Sequence, residues 1–513
     1  MPNNMDYIQS LALQGNEGHP VEVECKLSNG IPALVIVGLA SKAVDEAKDR
    51  IRAAFASSNV PLPRKRITIN LAPADLQKDS TSLDLAIALS ILLESKQIPA
   101  KQVADTVVVG ELGLNGTIRP VRGVIGFLKS AQKHGMRQAV IPTGNRTQAE
   151  LIAGIDIIYA DNLRDLYLQL SGAKPLNSSK SRNQPKRALN SQRNSSDKLD
   201  MSDVTGQQKA KRALEIAAAG NHNILLSGPP GTGKSMLAKA LVGVLPNLST
   251  REILEVTHLH SLSTHRYDDL VFDRPFRSPH HSASAVSIIG GGQNPKPGEI
   301  SLSHRGVLFF DELPEFKRSV IEALRQPLED GVISVARAKE RIEYPANFML
   351  VATCNPCPCG YYGTSKDCTC APHHITRYQQ KLSGPILDRI DIHVDVHEVL
   401  HDKLLSDEPD GDTSKIIRDR VTKARQQQAK RYGKAISTNS SLDNQHIKTH
   451  ANLSNEAKLL LDTASKRLNV SARAYMKMVK IARTIADLAG EDTISKQHIS
   501  EALQYRRHEP QNM

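Results

Sequence analysis

Residues 223–245 read "NILLSGPPGTGKSMLAKALVGVL": a short apolar run, a glycine-rich loop, then Leu, Ala and Val at helical spacing. The octapeptide "GPPGTGKS" (228–235) fits G-x-x-x-x-G-K-S. It stands where a phosphate-binding P-loop must, after a buried strand and at the head of a helix. Gly228, Gly231 and Gly233 let backbone N–H groups turn inward around phosphate, with Pro229, Pro230 and Thr232 completing the loop. The helix N-terminus adds the positive end of its dipole. Lys234 is placed to reach β- and γ-phosphates, and Ser235 to ligate Mg²⁺. An α/β core built around ATP and Mg²⁺ is the expectation.

Two more apolar runs supply further parts of such a site. In "GVLFFDEL" (306–313), Val307 to Phe310 read as a buried parallel strand, with Asp311 emerging at its C-terminal end. Open α/β sheets bind ligands at that edge. Asp311 can hold Mg²⁺, directly or through water, and Glu312 can polarise an attacking water. Two adjacent carboxylates on a solvated strand end are the plainer alternative. "NFMLVATCN" (347–355) reads as another buried strand ending at Asn355, whose amide can meet both a γ-phosphate and the lytic water.

The following stretch, "CNPCPCGYYGTSKDCTC" (354–370), holds five of the six cysteines. Strand alternation turns Cys354 away from Asn355 and into the core. Cys357, Cys359, Cys368 and Cys370 form C-x-C…C-x-C around a Gly-Tyr-Tyr-Gly loop, and four thiolates suit tetrahedral Zn²⁺. Free thiols are the alternative, with His373 and His374 as spare ligands. "SGPILDRIDIHVDV" (383–396) puts Arg389 in a short turn. There it can stabilise charge on a neighbouring subunit's γ-phosphate or pair locally with Asp388 or Asp391. "NVSARAYMKM" (469–478) puts Arg473 near a helix start, suited to a second phosphate contact.

With 513 residues the chain exceeds one ordinary core. No apolar run approaches the roughly 20 residues that cross a bilayer. The N-terminal "MPNNMDYIQSLALQGNEGHP" lacks a basic region followed by an apolar one. A cytoplasmic protein with no membrane partner and reduced thiols is expected, which favours metal over disulfides at the cysteine cluster. A net charge of +12 points to an anionic partner, nucleic acid first.

Part of that excess lies in 171–200, with Lys174, Lys180, Arg182, Lys186, Arg187, Arg193 and Lys198. This stretch has too few large apolar residues to order itself; a soluble linker and a DNA-binding arm both fit it. Before it, strand and helix signals alternate, and "VEVECKL" (21–27) with "ALVIVGL" (33–39), across Asn29-Gly30, reads as a hairpin. After about residue 400 strand signals vanish, and the tail reads as a helical bundle. The organisation expected is an α/β domain (1–170), a basic linker (171–200), an α/β nucleotide core (201–398) and a helical lid (399–513).

The stretch "RPFRSPHHSASAVSIIGGGQNPKPGEISLSHRGVLFFDELPEF" (274–316) resembles the magnesium-chelatase-like AAA+ ATPases. "GLASKAVDEAKDRIRAAF" (38–55), "RALEIAAAGNHNILLSGPPGTGKSML" (212–237), "LDRIDIHV" (387–394) and "SARAYMKMVKIARTIADLAG" (471–490) extend the likeness over nearly the whole chain, the linker excepted. The resemblance implies a homo-hexamer with ATP bound between subunits. In it Lys234 and Ser235 are Walker A, Asp311 and Glu312 Walker B, Asn355 sensor 1, Arg389 the arginine finger and Arg473 the sensor 2 arginine.

Two insertions facing the ring's pore are implied as well. One is "SPHHSASAVSIIGGGQNP" (278–295); the other is a hairpin before sensor 1, "GVISVARAKERIEYPA" (331–346). Its Arg337 and Lys339 can grip a phosphate backbone, a contact that carries no sequence information; a solvated charged turn is the alternative. The likeness further implies a DNA branch-migration helicase acting in recombination and natural transformation.

The N-terminal domain resembles the peptidase domain of Lon, with Ser82 at the nucleophile's position. Ile125 stands where Lon has its lysine, Lys129 lies one turn further on, and Arg122 cannot act as a base. A retained fold without proteolysis is implied. A chelatase-like or MoxR-like protein-remodelling ATPase remains an alternative, although "DSTSL" (79–83) departs from a D-x-S-x-S metal site at Thr81 and Leu83, and a chelatase motor would lack the N-terminal domain. A nucleotide-dependent scaffold is the third reading.

Overall fold

Two sheets organise the chain, one built from residues before 180 and the other from residues after 223. The computed structural model describes residues 7–38, 46–76, 78, 81–176, 178–179, 199–263, 269–292, 295–336, 341–364, 366–399, 411–433 and 438–507. The first sheet contains β1 (Tyr7–Gln14), β2 (Glu17–Ser28), β3 (Ala33–Val37), β4 (Arg66–Ala72), β5 (Thr106–Val108), β6 (Gln138–Pro142), β7 (Asp156–Ala160) and the edge pair β8 (Ser178–Ser179). Their spatial order is β8–β7–β6–β5–β1–β2–β4–β3. Helices α1 (Ala47–Ser57) and α2 (Asp84–Glu94) share one core with Ile8, Val108, Val140 and Ile158. Helix α3 (Val124–Lys133) shares another with Leu11, Val107, Ala139 and Ile157. Neighbouring residues of one strand thus feed opposite faces, as a two-residue period requires.

The hairpin expected from 21–27 and 33–39 does not form. Strand β2 pairs antiparallel with β4, and β3 pairs parallel with β4. Ser28 and Ala33 both lie opposite Arg66, so the Asn29–Pro32 turn steps across the end of β4. The crossover through α1 lays Ile67, Ile69 and Leu71 into the same core as Val21, Val23 and Cys25, and that burial outweighs a local turn signal. The hairpin in this region is β1–β2 across Gly15-Asn16, with Gln14 opposite Glu17. At the start of the basic linker, Ser178 and Ser179 pair with Ile158 and Ile157. They borrow the free edge of β7 and need no apolar surface of their own. Residues 180–198 lie outside the described residues.

The second sheet is parallel throughout: β9 (Ile224–Ser227), β10 (Phe276–Arg277), β11 (Val307–Phe310), β14 (Met349–Cys354) and β15 (Ile392–Asp395), in the order β10–β11–β14–β9–β15. Ahead of β14, β12 (Val332–Ala336) and β13 (Arg341–Pro345) form a separate antiparallel ribbon. Its tip, including Arg337 and Lys339, lies outside the described residues. Alternation sorts the sheet's apolar runs into two cores. Ile224, Leu226, Val307, Phe309, Met349 and Val351 meet α4 (Gln208–Gly220), α5 (Lys234–Val244) and the helical tail. Leu225, Leu308, Phe310, Leu350 and Ala352 meet the inserts.

The tail consists of helices, chiefly α8 (Ser414–Tyr432), α9 (Asn455–Arg467), α10 (Ala472–Ala489) and α11 (Lys496–Leu503), with no strand after Asp395 among the described residues. Among those residues no helix is long and apolar enough to cross a membrane.

The two sheet domains touch through α6 (Thr250–Ser263) and the inserts. His258 Nε2 meets the Asn16 carbonyl at 3.2 Å. A cavity of about 360 Å³ lies where the β1–β2 turn faces the inserts, and its walls include Thr81, Ser82, Glu111, Arg122, Lys296 and Tyr344. Ser82 is buried there. Lys129 has Glu255 and Arg251 of α6 as its charged neighbours. Among the described residues, the lysine that shares the cavity with Ser82 is Lys296.

Candidate nucleotide site

The loop between β9 and α5 depends on its glycines for two different reasons. Gly231 and Gly233 adopt φ of +81° and +85°, a region where side chains are strained. At Gly228 a Cβ would fall 2.2 Å from the Val396 carbonyl oxygen, so close approach to the end of β15 excludes any side chain. Gln207, itself at φ +57°, donates to the Thr232 carbonyl at 3.2 Å and to the His397 carbonyl at 2.5 Å. It ties the loop to the chain beyond β15.

Lys234 is buried, and its Nζ donates to the Gly228 and Pro229 carbonyls at 2.7 Å each and to Asn355 Oδ1 at 3.2 Å. Burial pulls its ammonium below the usual lysine range, against the opposing pull of Cys354, Asp311 and Glu312. Asn355 Nδ2 in turn faces Glu312 Oε1 at 3.4 Å. Ser235 Oγ donates to Asp311 Oδ2 at 3.0 Å. The structure therefore brings Lys234, Ser235, Asp311, Glu312 and Asn355 to one edge of the parallel sheet. Adjacent strands ending side by side accomplish this, β11 supplying the carboxylates and β14 the amide.

Thr353 joins this group, and the sequence reading missed it. Its Oγ1 donates to Asp311 Oδ1 at 2.7 Å and accepts from the Glu312 N–H at 2.8 Å. Glu312 sits at φ +53°, a left-handed conformation uncommon for a side-chain residue and of the kind that clusters at functional sites. Thr353 lies two residues before Asn355, on the same face of β14. That spacing is the one sequence signal that could have pointed to it.

The four cysteines gather just beyond. Sγ–Sγ separations are 3.3 Å for Cys357–Cys359, 3.7 Å for Cys357–Cys368 and 3.5 Å for Cys359–Cys368, and all four sulfurs lie within 4.8 Å of one another. A tetrahedral site with Zn–S bonds of about 2.3 Å places its sulfurs about 3.8 Å apart. The donor set and its spacing fit zinc, and the Tyr362 N–H already points at Cys357 Sγ at 3.3 Å, as outer-shell donors do. Cys354 stays out of the cluster; burial pushes its thiol up. His373 and His374 pack against each other and do not join the group.

Arg389 and Arg473 stand apart from these residues, together. Both line a cavity of about 720 Å³ with Glu329, Asp391, Lys477 and Lys480. Arg389 pairs with Glu329, and with neither Asp388 nor Asp391 as the local alternative had it. Its Nη1 also donates to the Pro385 carbonyl at 2.8 Å, while its Nε is buried with no partner among the described residues. Asp391 is occupied by His222 at 3.4 Å and Lys477 at 4.0 Å. Nothing local in the sequence signals Glu329, which lies in another element.

Residues 200–404 match the family model described as "Magnesium chelatase, subunit ChlI", 23–145 that described as "Subunit ChlI of Mg-chelatase", and 411–506 that described as "Magnesium chelatase, subunit ChlI C-terminal". The chain is 43% identical to the competence protein ComM of Haemophilus influenzae over 97% of each chain. It is 42% identical to the protein YifB of Escherichia coli over 98% of this chain and 97% of that one. Similarity to the magnesium-chelatase 38 kDa subunit of Cereibacter sphaeroides is lower, 26% over 30% of this chain and 51% of that one.

Proposed function

Because the chain belongs to the magnesium-chelatase-like ComM family, we propose that it is an ATP-hydrolysing AAA+ motor that works as a homo-hexamer on branched or single-stranded DNA. The observation that carries this reading is the separation of two half-sites. Lys234, Asn355, Glu312, Ser235 and Asp311 meet at one sheet edge, while Arg389 and Arg473 share a cavity elsewhere. Neither arginine forms a hydrogen bond or ion pair with the first group among the described residues. Arg389 is held there by Glu329 and the Pro385 carbonyl. A neighbouring copy's phosphate would take the place of Glu329 on Arg389, with Arg473 as a second contact from the same side.

In this reading Lys234 exchanges its two backbone carbonyls for phosphate oxygens. Asn355 and Glu312 orient the attacking water, and the Glu312 carboxylate takes its proton. Mg²⁺, held by Ser235 and Asp311, would neutralise phosphate charge. The hairpin carrying Arg337 and Lys339 and the 278–295 insert are the proposed DNA contacts, supported by the net charge of +12. ComM is named a competence protein, which supports a role in the uptake or integration of DNA. The N-terminal domain, Lon-like in this proposal and without protease activity, would serve assembly or substrate entry.

Turnover measured with duplex, single-stranded and four-way-junction DNA tests the proposal. Stimulation by at least one form is expected, and Glu312→Gln is expected to bind DNA without moving it. Turnover indifferent to every DNA but raised by a protein partner would replace this reading with a chelatase-like or MoxR-like remodelling ATPase.

A further inference from the structure

We infer that the four-cysteine clip positions the phosphate-binding loop, so that a metal held by Cys357, Cys359, Cys368 and Cys370 sets the nucleotide affinity of the site. This rests on reading 228–235 as a nucleotide loop and is independent of any DNA activity.

The contact that links the two is Gly360 against Pro230. Gly360 adopts φ +88°, and a Cβ there would stand 2.5 Å from Pro230 Cδ and 3.1 Å from Cγ. The Gly360 backbone therefore lies directly on the ring of a P-loop residue. Its N–H donates to the Cys357 carbonyl at 3.0 Å, closing a turn whose corners are Cys357 and Cys359. Anything that moves those two thiolates moves the surface behind Pro230.

The second pair of cysteines anchors the other end of the same excursion. Helix α7 (Pro372–Gln379) begins two residues after Cys370 and returns to the sensor strand. There Gln379 Nε2 donates to the Pro356 carbonyl at 3.2 Å, and the Tyr378 hydroxyl meets the Asn355 backbone. Asn355, the hydrogen-bond partner of Lys234, thus sits between the end of β14 and the clip. No helix or strand runs through 357–370 among its described residues. Regular backbone hydrogen bonds do not hold this loop, and conformational entropy favours its loosening. A metal bridging its two ends removes that freedom, as closing any loop does. Metal occupancy is the local constraint that keeps Gly360 on Pro230 and Asn355 beside Lys234.

The test uses the full-length protein without DNA. Metal content is measured by plasma mass spectrometry, and affinity with a fluorescent ATP analogue, before and after zinc is stripped and then restored. Thermal unfolding reports whether the fold survives. About one zinc per chain is expected, and an affinity loss of about tenfold on stripping, equivalent to about 1.4 kcal/mol, regained when zinc alone is added. Gly360→Ala should weaken nucleotide binding with zinc still bound, and adding Pro230→Ala should restore part of it by removing the ring that the new methyl strikes. Folded zinc-free protein that binds nucleotide as tightly as the loaded form overturns the inference, as does a Gly360→Ala protein with unchanged affinity. Lys234→Ala is the control: if that change too leaves affinity untouched, the nucleotide reading of the loop fails and not the clip's coupling to it.

Discussion

Replacing Thr353 with valine keeps the shape of a fully buried side chain and deletes one hydroxyl. That hydroxyl holds Asp311 Oδ1 at 2.7 Å and accepts the Glu312 N–H at 2.8 Å. A hydrogen bond to a charged group contributes about 1.5–3 kcal/mol, which corresponds to roughly 10- to 150-fold in a rate when lost only in the transition state. Asp311 and Glu312 are exposed, so water replaces part of the lost interaction and the lower end applies. Turnover of Thr353→Val is therefore expected to fall roughly tenfold. The Mg²⁺ concentration for half-maximal activity should rise, because Asp311 loses its orientation, while nucleotide affinity in the absence of Mg²⁺ changes little. Steady-state ATP hydrolysis across a Mg²⁺ titration measures the first two, and a fluorescent ATP analogue titrated in the presence of a chelator measures the third, with thermal unfolding as a fold control. A folded Thr353→Val protein with wild-type turnover and Mg²⁺ dependence would refute the view that Thr353 positions the two carboxylates.

Other consequences are equally open to measurement. Arg389→Ala is expected to reduce turnover by about 10³-fold, the lower range for an arginine finger. Mixing it with a Lys234→Ala protein should recover activity at seams that pair the two intact halves; silent mixtures would argue against a site shared between copies. Glu255 accepts from His304 at 3.4 Å and pairs with Arg305 at 3.0 Å and Arg251 at 3.1 Å. The His304 hydrogen bond, followed by Arg305, holds its carboxyl down from the usual 4.5 to about 2, against burial. A depressed carboxyl stabilises the fold fully above its unfolded value and loses that contribution as pH falls through its folded one. Denaturant midpoints of the wild type should thus decline between about pH 4.5 and 2, and Glu255→Gln should flatten that decline; parallel curves for the two proteins would remove Glu255 as its source.

The chain announces its nucleotide core because the signals are local. An apolar run flanked by a glycine loop makes β9 and its P-loop, and four apolar residues followed by two acids make β11 with Asp311 at its end. Asn355 is legible for the same reason, as the residue at which a buried strand stops. The helical tail shows in its spacing. The rest of the site depends on residues far apart in sequence. Thr353 was hidden because threonine in a strand is ordinary until Asp311 is placed beside it. The β2–β3 turn misled because β4, arriving after a helix, competed for the same edge with a larger buried face.

Sequence alone determined which residues end the central strands and which loop can turn its amides toward phosphate, since backbone period and glycine geometry act over a few residues. Only the tertiary structure decided that Arg389 and Arg473 share one cavity with Glu329 and that Gly360 rests on Pro230. It also decided that Lys296, and not Lys129, shares the Ser82 cavity. Each of those pairings is made by packing between segments far apart in sequence, where side-chain burial and close contact choose partners that no short pattern encodes.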